Sequence, residues 1–280
     1  MALLDGKVAI ITGATSGIGR RTAEIFVAQG AKVVVTGRRA ELGKALEAEL
    51  GSDQCLFLRG DMAEEADVKA MIDACLAKWG RIDCLFNNAG GPAPTGGIDT
   101  IPVAGFDAAM ANLVRSVMLG MKHAAPVMMR QKSGSIINNG SVAASRTGLS
   151  SSMIYSAAKA AVVHLTRCVA MQLGEHHVRV NAISPGGIAT GILAKALGLP
   201  VEQAEQTTDM MKANFVKNQP IPRAGLTDDI ANAALWLASD LSTFVNGHDL
   251  VVDGGQIGGR LYSPHQEALK ATRQALGIDQ

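Results

Sequence analysis

Tyr155 and Lys159 stand four residues apart, at the start of a stretch (156–174) whose apolar spacing predicts a helix, so their side chains share one helical face. A phenol beside an ammonium is a proton-transfer pair. Hydride addition to a carbonyl leaves an alkoxide that needs a proton, and the reverse reaction needs a base for the alcohol. An unperturbed tyrosine titrates near about 10, and an ammonium that stabilises the phenolate brings it closer to working pH. The spacing alone also describes an exposed tyrosine beside a solvated lysine. Ser141 adds weight: it lies just past a strand expected at 135–138, at the carboxyl edge where open α/β sheets bind ligands, and its hydroxyl could donate to a substrate oxygen as charge develops. The competing reading is a turn or N-cap serine, shared with Ser145, Ser150, Ser151 and Ser152.

A second cluster lies near the start of the chain. An apolar run at 8–11 leads into Thr12-Gly13-Ala14-Thr15-Ser16-Gly17-Ile18-Gly19, and a helical pattern comes directly after. Glycines at 13, 17 and 19 permit a tight turn and close approach to a pyrophosphate, which free N–H groups at the helix start would face. The G-x-x-x-G-x-G spacing departs from G-x-G-x-x-G, and no Lys-Ser or Lys-Thr closes it as a P-loop. A purely structural βα turn is the other reading. The next strand ends in Thr36-Gly37-Arg38-Arg39, without the carboxylate that would hold the ribose diol of NAD. Arg38 could pair with a 2′-phosphate instead, which favours NADP with NAD still possible, unless Arg38 and Arg39 merely open a solvated helix. Asp61, followed by Met62, could accept from the adenine amino group or cap the next helix.

These groups need a scaffold. Short β-branched runs at 8–11, 32–36, 55–58, 84–86, 135–138, 178–183 and 249–252 alternate with helical patterns at 19–29, 39–50, 64–79, 106–131, 156–174 and 228–239. Near-continuous apolar strands suit burial on both faces. The pattern predicts an α/β fold: a single-domain, Rossmann-type, doubly wound parallel sheet of about seven strands flanked by helices on both faces. The domain is expected over 1–255, with a substrate lid at about 191–219 and a C-terminal extension at 256–280.

The 280 residues are 48% hydrophobic, and 26 Lys plus Arg nearly balance 25 Asp plus Glu, so no strong field points to nucleic acid or an acidic membrane surface. A small-molecule partner is the better default. Cys55, Cys75, Cys84 and Cys168 show no zinc-ligand spacing and read as reduced, mostly packed thiols, with no metal expected. Neither a signal-peptide pattern nor an apolar run of the ~18 residues a membrane span needs is present, so a soluble, cytoplasmic protein without a membrane partner is expected.

Taken together, Thr12 to Gly19, Asn87-Asn88-Ala89-Gly90, Ser141, Tyr155-Ser156-Ala157-Ala158-Lys159 and Pro185-Gly186-Gly187-Ile188-Ala189-Thr190 match the order and approximate spacing of the short-chain dehydrogenase/reductase family, which the chain resembles from about Leu4 to Gly255. The resemblance implies an NAD(P)-dependent oxidoreductase of alcohol or carbonyl groups, usually a homodimer or homotetramer. It implies that Tyr155 is the general acid/base, that Lys159 modifies its pKa and binds the nicotinamide ribose, that Ser141 polarises the substrate oxygen, and that Asn112 holds a water for the proton relay. It also implies that Asn88, Ala89 and Gly90 line the ribose side of the cofactor, and that Pro185, Gly186, the Ile188 backbone and the Thr190 hydroxyl fix the nicotinamide amide. Thr190 could otherwise cap a helix.

Some features depart from the family pattern. Ser141 precedes Tyr155 by one residue more than is commonest, Asn138-Asn139-Gly140-Ser141 replaces the more usual small-residue and serine run, and the tail is long. Met210, Met211 and Phe215 of the lid are expected either to form an adaptable apolar wall or to pack the lid against the body, with Met153, Val142 and Ala143 as further wall candidates. The substrate preference is a mainly apolar secondary alcohol or ketone. Two alternatives stand: a β-ketoacyl carrier-protein reductase, although 91–97 does not resemble that group, and a non-catalytic NADP-binding sensor or scaffold, which would have no need of Ser141, Tyr155, Lys159 and Asn112 together.

Overall fold

The computed structural model describes residues 2–200, 203–204, 206–217 and 219–278. Seven parallel strands, β1 (Val8–Ile11), β2 (Lys32–Gly37), β3 (Cys55–Arg59), β4 (Cys84–Asn87), β5 (Gly134–Asn139), β6 (Val178–Pro185) and β7 (Asp249–Val252), form one sheet in the order β3-β2-β1-β4-β5-β6-β7. The doubly wound sheet expected from the alternation is therefore present. The chain runs outward from β1 through β2 to β3, then crosses to β4 on the other side of β1. That reversal opens a crevice at the carboxyl ends of β1 and β4.

Successive side chains on β1 point to opposite faces, which is why both faces need cover. Val8 and Ile10 join a core under α3 (Glu65–Trp79), α5 (Ser116–Gln131) and α6 (Met153–Gly174), containing Met71, Met128 and Val162. Ala9 and Ile11 join the opposite core, with Phe26 of α1 (Gly17–Ala28), Leu46 of α2 (Ala40–Leu50) and Ile230 of α9 (Thr227–Ala238). Cys55, Cys75 and Cys84 are buried in these layers and Cys168 is exposed. Desolvation pushes the three buried thiols up to about 12, so they remain protonated packing groups.

Two helices differ from expectation. The helix expected at 106–131 begins earlier, as α4 (Val103–Met110), and is interrupted by a π-helical turn, Ala111–Arg115, before α5. The Ser116 N–H reaches back five residues to the Ala111 carbonyl, and the Ser116 hydroxyl takes the Asn112 carbonyl at 2.6 Å. One extra residue in a helical turn rotates the downstream helix by about 100°, a device often found at functional sites. α6 starts three residues before expectation because Ser152 caps it, accepting the Tyr155 N–H at 3.2 Å. The segment after β6 carries α7 (Ile192–Ala196) and α8 (Thr208–Phe215), and the tail carries α10 (Tyr262–Ala275), which buries none of its residues. No helix among the described residues is long and apolar enough to cross a membrane.

At the opposite end of the sheet from the crevice, buried Asp83 accepts the Val8 N–H at 2.9 Å and a two-pronged Arg81 guanidinium at 2.8 and 2.7 Å. Asp83→Ala leaves that N–H without its acceptor and the guanidinium without its partner. It should lower unfolding free energy by about 2–4 kcal/mol in urea melts; a loss within error would show that β1 and β4 hold their register without it.

Candidate active site

The crevice is stitched shut at its base. The Thr12 hydroxyl accepts from the backbone N–H groups of Asn88, at 3.0 Å, and Ala89, at 2.9 Å. The Asn88 amide donates back to the carbonyls of Thr12, at 2.9 Å, and Gly13, at 3.2 Å. The turns after β1 and β4 are thereby locked at a distance that excludes side chains. A Cβ on Gly13, whose φ is +68°, would stand 2.8 Å from the Ala89 Cα, and one on Gly19 would stand 2.5 Å from the Asn88 amide nitrogen. Gly17 opens α1 at φ +57°, and Ser16 at the N-cap makes no side-chain cap bond, leaving the first N–H groups of the helix directed at the crevice. This cradle fits the pyrophosphate of a dinucleotide.

A cavity of about 1000 Å³ runs from this turn to Tyr155. Gly13, Ser16, Gly17, Ile18, Arg38, Asp61, Met62, Asn88, Ala89 and Gly90 line it, as do Asn112, Ser141, Tyr155, Lys159, Pro185, Gly186, Ile188 and Thr190. Of the catalytic and cofactor-binding positions expected from the sequence, Gly19 is the one that does not line it. Asp61 serves its own turn, accepting the Ala63 N–H at 3.0 Å, and its other oxygen is 3.7 Å from the exposed Arg38 guanidinium. Thr190 caps no helix: α7 begins after Gly191.

The catalytic end is assembled by α6. Lys159 is 4% exposed, and its ammonium donates to the Asn139 carbonyl at 2.6 Å. It lies 5.6 Å from the centre of the Tyr155 ring. Burial lowers the Lys159 pKa to about 8 from an ordinary 10.5. The Tyr155 phenol is raised by burial, against an opposing hydrogen bond with the Ser141 hydroxyl. Desolvation thus outweighs the Ser141 hydrogen bond, which on its own favours the ionised phenol. Ser141 is also the N-cap of a short 3₁₀ turn, Val142–Ala144, accepting the Ala143 N–H at 3.2 Å, as the N-cap reading of this serine expected.

Of the two readings of the lid residues, packing against the body holds for Met211 and Phe215. Met211 is buried with Ala189 and Ala224, Phe215 packs against the same cluster, and Met210 is 56% exposed. Ile192, Leu199 and Thr208 line the cavity from the lid, and Met153, Val142 and Ala143 do not reach it. The lid expected at 191–219 includes residues 201, 202, 205 and 218, which lie outside the described residues. Sequence reasoning gave Arg39 no role beyond opening a solvated helix; its guanidinium donates to the hydroxyls of Ser16, at 2.7 Å, and Thr15, at 3.1 Å. It also passed over the packing of Gly37, where a Cβ would stand 2.5 Å from the Thr15 methyl. A basic pair directly after a strand was the available signal for Arg39; nothing local announces the Gly37 contact.

A doubly wound sheet whose switch-point crevice joins a glycine cradle to a Ser–Tyr–Lys cluster defines a dinucleotide-dependent oxidoreductase. Comparison with known proteins agrees. The family model described as enoyl-(acyl carrier protein) reductase matches residues 13–256. Momilactone A synthase of Oryza sativa subsp. japonica is 42% identical, with 90% of each chain covered, and secoisolariciresinol dehydrogenase of Forsythia intermedia is 39% identical, covering 90% of this chain and 89% of that one. The solved structure of levodione reductase superposes with a TM-score of 0.83 at 33% identity, covering 92% of this chain and 100% of the other. The chain belongs to the short-chain dehydrogenase/reductase family and is an NAD(P)-dependent oxidoreductase acting on CH–OH groups.

Burying Lys159 has a measurable cost. Its folded pKa lies below its unfolded value, so between about pH 8 and 10.5 the unfolded chain binds more protons and stability rises with pH. Lys159→Met should raise the unfolding free energy at neutral pH by about 1–3 kcal/mol and flatten that rise, read by urea melts at several pH values. An unchanged slope would mean that the ammonium is not desolvated as the structure has it.

Proposed function

We propose that this enzyme interconverts a mainly apolar secondary alcohol and its ketone with NADP as the preferred cofactor, Tyr155 acting as general acid/base. The observation that carries the reading is the convergence of the Tyr155 phenol, the Ser141 hydroxyl and the Lys159 ammonium on a cavity that continues into the glycine cradle. A bound nicotinamide supplies or accepts the hydride. Ser141 donates to the substrate oxygen as negative charge grows there, and Tyr155 delivers the proton to that oxygen or removes it. Lys159 holds its proton in a water-poor setting next to the phenol, and Asn112, on the same cavity wall, holds a water for its resupply. The backbone at Ile188 and the hydroxyl of Thr190 orient the carboxamide. Apolar side chains of Leu113, Ile188, Ile192 and Leu199 on the cavity wall support an apolar substrate. Assembly into dimers or tetramers is supported by large apolar side chains left in solvent, Phe244 at 103% and Leu241 and Met171 at 65% exposure.

The NADP preference rests on steric and charge grounds. A carboxylate at position 37 has no room beside Thr15, and two guanidiniums, Arg38 and Arg39, come next at the rim where a 2′-phosphate would sit. Arg38 is 71% exposed at its side chain, free to turn from Asp61 toward a phosphate.

Reduction of NADP, or oxidation of NADPH, across a panel of terpenoid-sized alcohols and ketones tests the activity; dinucleotide binding without turnover on the whole panel would leave the sensor alternative standing. Tyr155→Phe should keep dinucleotide affinity within about twofold while turnover drops by about 10²–10⁴, and near-normal turnover would remove Tyr155 from its role. For Arg38→Ala, the dissociation constant of NADPH should rise about tenfold or more with that of NADH nearly unchanged; equal losses would show that Arg38 does not read the phosphate.

A further inference from the structure

Asn87, which ends β4, and Asn88, which follows it, are paired with the two asparagines that end β5. Asn87 and Asn138 are register partners, and the Asn87 amide donates to the Asn138 side-chain oxygen at 2.8 Å. The Asn138 amide continues to the Thr166 hydroxyl on α6 at 2.9 Å. One step further along, the Asn139 amide donates to the Asn88 side-chain oxygen at 3.1 Å, while the Asn139 backbone carbonyl receives the Lys159 ammonium at 2.6 Å. Lys159 and Thr166, seven residues apart, lie on one face of α6. Two asparagine rungs therefore join the end of β4 to the helix that carries Tyr155 and Lys159, and the upper one starts from the glycine turn, which Asn88 holds through Thr12 and Gly13.

The upper rung has a feature that packing does not explain. The Asn139 side-chain oxygen is buried and without a partner. A buried acceptor without a partner costs stability, and an aliphatic side chain would avoid that cost. What the amide adds at this position is its link to Asn88.

We propose that Asn139 is a positioning residue that couples occupation of the glycine cradle to the placement of Lys159. The proposal rests on the dinucleotide reading above. When the cradle holds Asn88 in one rotamer, the Asn139 amide is held with it, and the carbonyl of the same residue stays directed at the ammonium. The coupling runs in both directions, so the protonation of Lys159 and the affinity for dinucleotide depend on each other through this residue.

The test is NADPH affinity, measured by fluorescence titration from about pH 6 to 10, in the wild-type chain and in Asn139→Val, with a thermal melt of each. Tyr155, the other titratable group beside Lys159, is common to both proteins, so a difference in the pH dependence reports on position 139. The expected result is a folded variant whose NADPH dissociation constant rises about tenfold and whose pH midpoint for binding moves by about half a unit or more. An unchanged constant and midpoint overturn the proposal, and so does a fall in melting temperature with both unchanged, which marks a structural residue only. If Asn139→Val does not fold, Asn139→Ser, too short to reach Asn88, is read by the same two quantities. A wild-type chain that binds neither NADPH nor NADH defeats the dinucleotide reading itself; a wild-type chain that binds, beside a variant that binds identically at every pH, defeats only the role of Asn139.

Discussion

A lysine ammonium held almost out of water, with a backbone carbonyl as its hydrogen-bond acceptor, sets the terms for the rest of this molecule. Lys159 can stay in its site because α6 packs against β6 and the end of β5, the Asn139 carbonyl turns toward it, and the strand ends beneath are polar. Without that acceptor the desolvated charge would be lost to the neutral amine or to local opening. The residues that meet this requirement also define the wall of the cavity. The site and the sheet edge are therefore one construction, and the stability given up at Lys159 is recovered in the two apolar layers that cover the strands.

The same economy holds at the other end of the cavity. The switch point places two turns face to face, and Thr12 and Asn88 hold them so closely that Gly13 and Gly19 admit no side chain. Close approach of the backbones produces both a rigid base and a row of N–H groups open to an anion. One set of contacts thus supplies rigidity and charge complementarity, with no lysine in the turn.

Much of this was legible in the sequence. Strands buried on both faces are continuous apolar runs, so all seven were readable, with ends displaced by two residues at most, and the glycine turn, Ser141, Tyr155 and Lys159 emerged from spacing and resemblance. The features that escaped reading depend on three-dimensional neighbours. The π-helical turn at Ala111–Arg115 has no compositional mark, because Asn112 and Ser116 read as ordinary helix residues until the Ser116 hydroxyl is seen to donate to the Asn112 carbonyl. Which face of α8 packs inward is decided by Ala189 and Ala224, on segments before and after the helix, so Met211 and Phe215 turned inward to pack while Met210 turned to solvent. Asn139 could have been suspected as a polar residue ending a buried strand, but its partners, Asn88 and Lys159, are separated from it by 51 and 20 positions.

The contact between Gly37 and Thr15 bears on how a protein of this kind can change its diet of electrons. A single substitution that installs a carboxylate at position 37 meets the threonine methyl, so the change crowds the turn unless Thr15 gives way. Shrinking Thr15 first makes that room, yet it also removes one of the two hydroxyls that Arg39 grips. Positions 15 and 37 are therefore sterically coupled: a side chain at 37 calls for a smaller one at 15, and a smaller one at 15 costs Arg39 an acceptor.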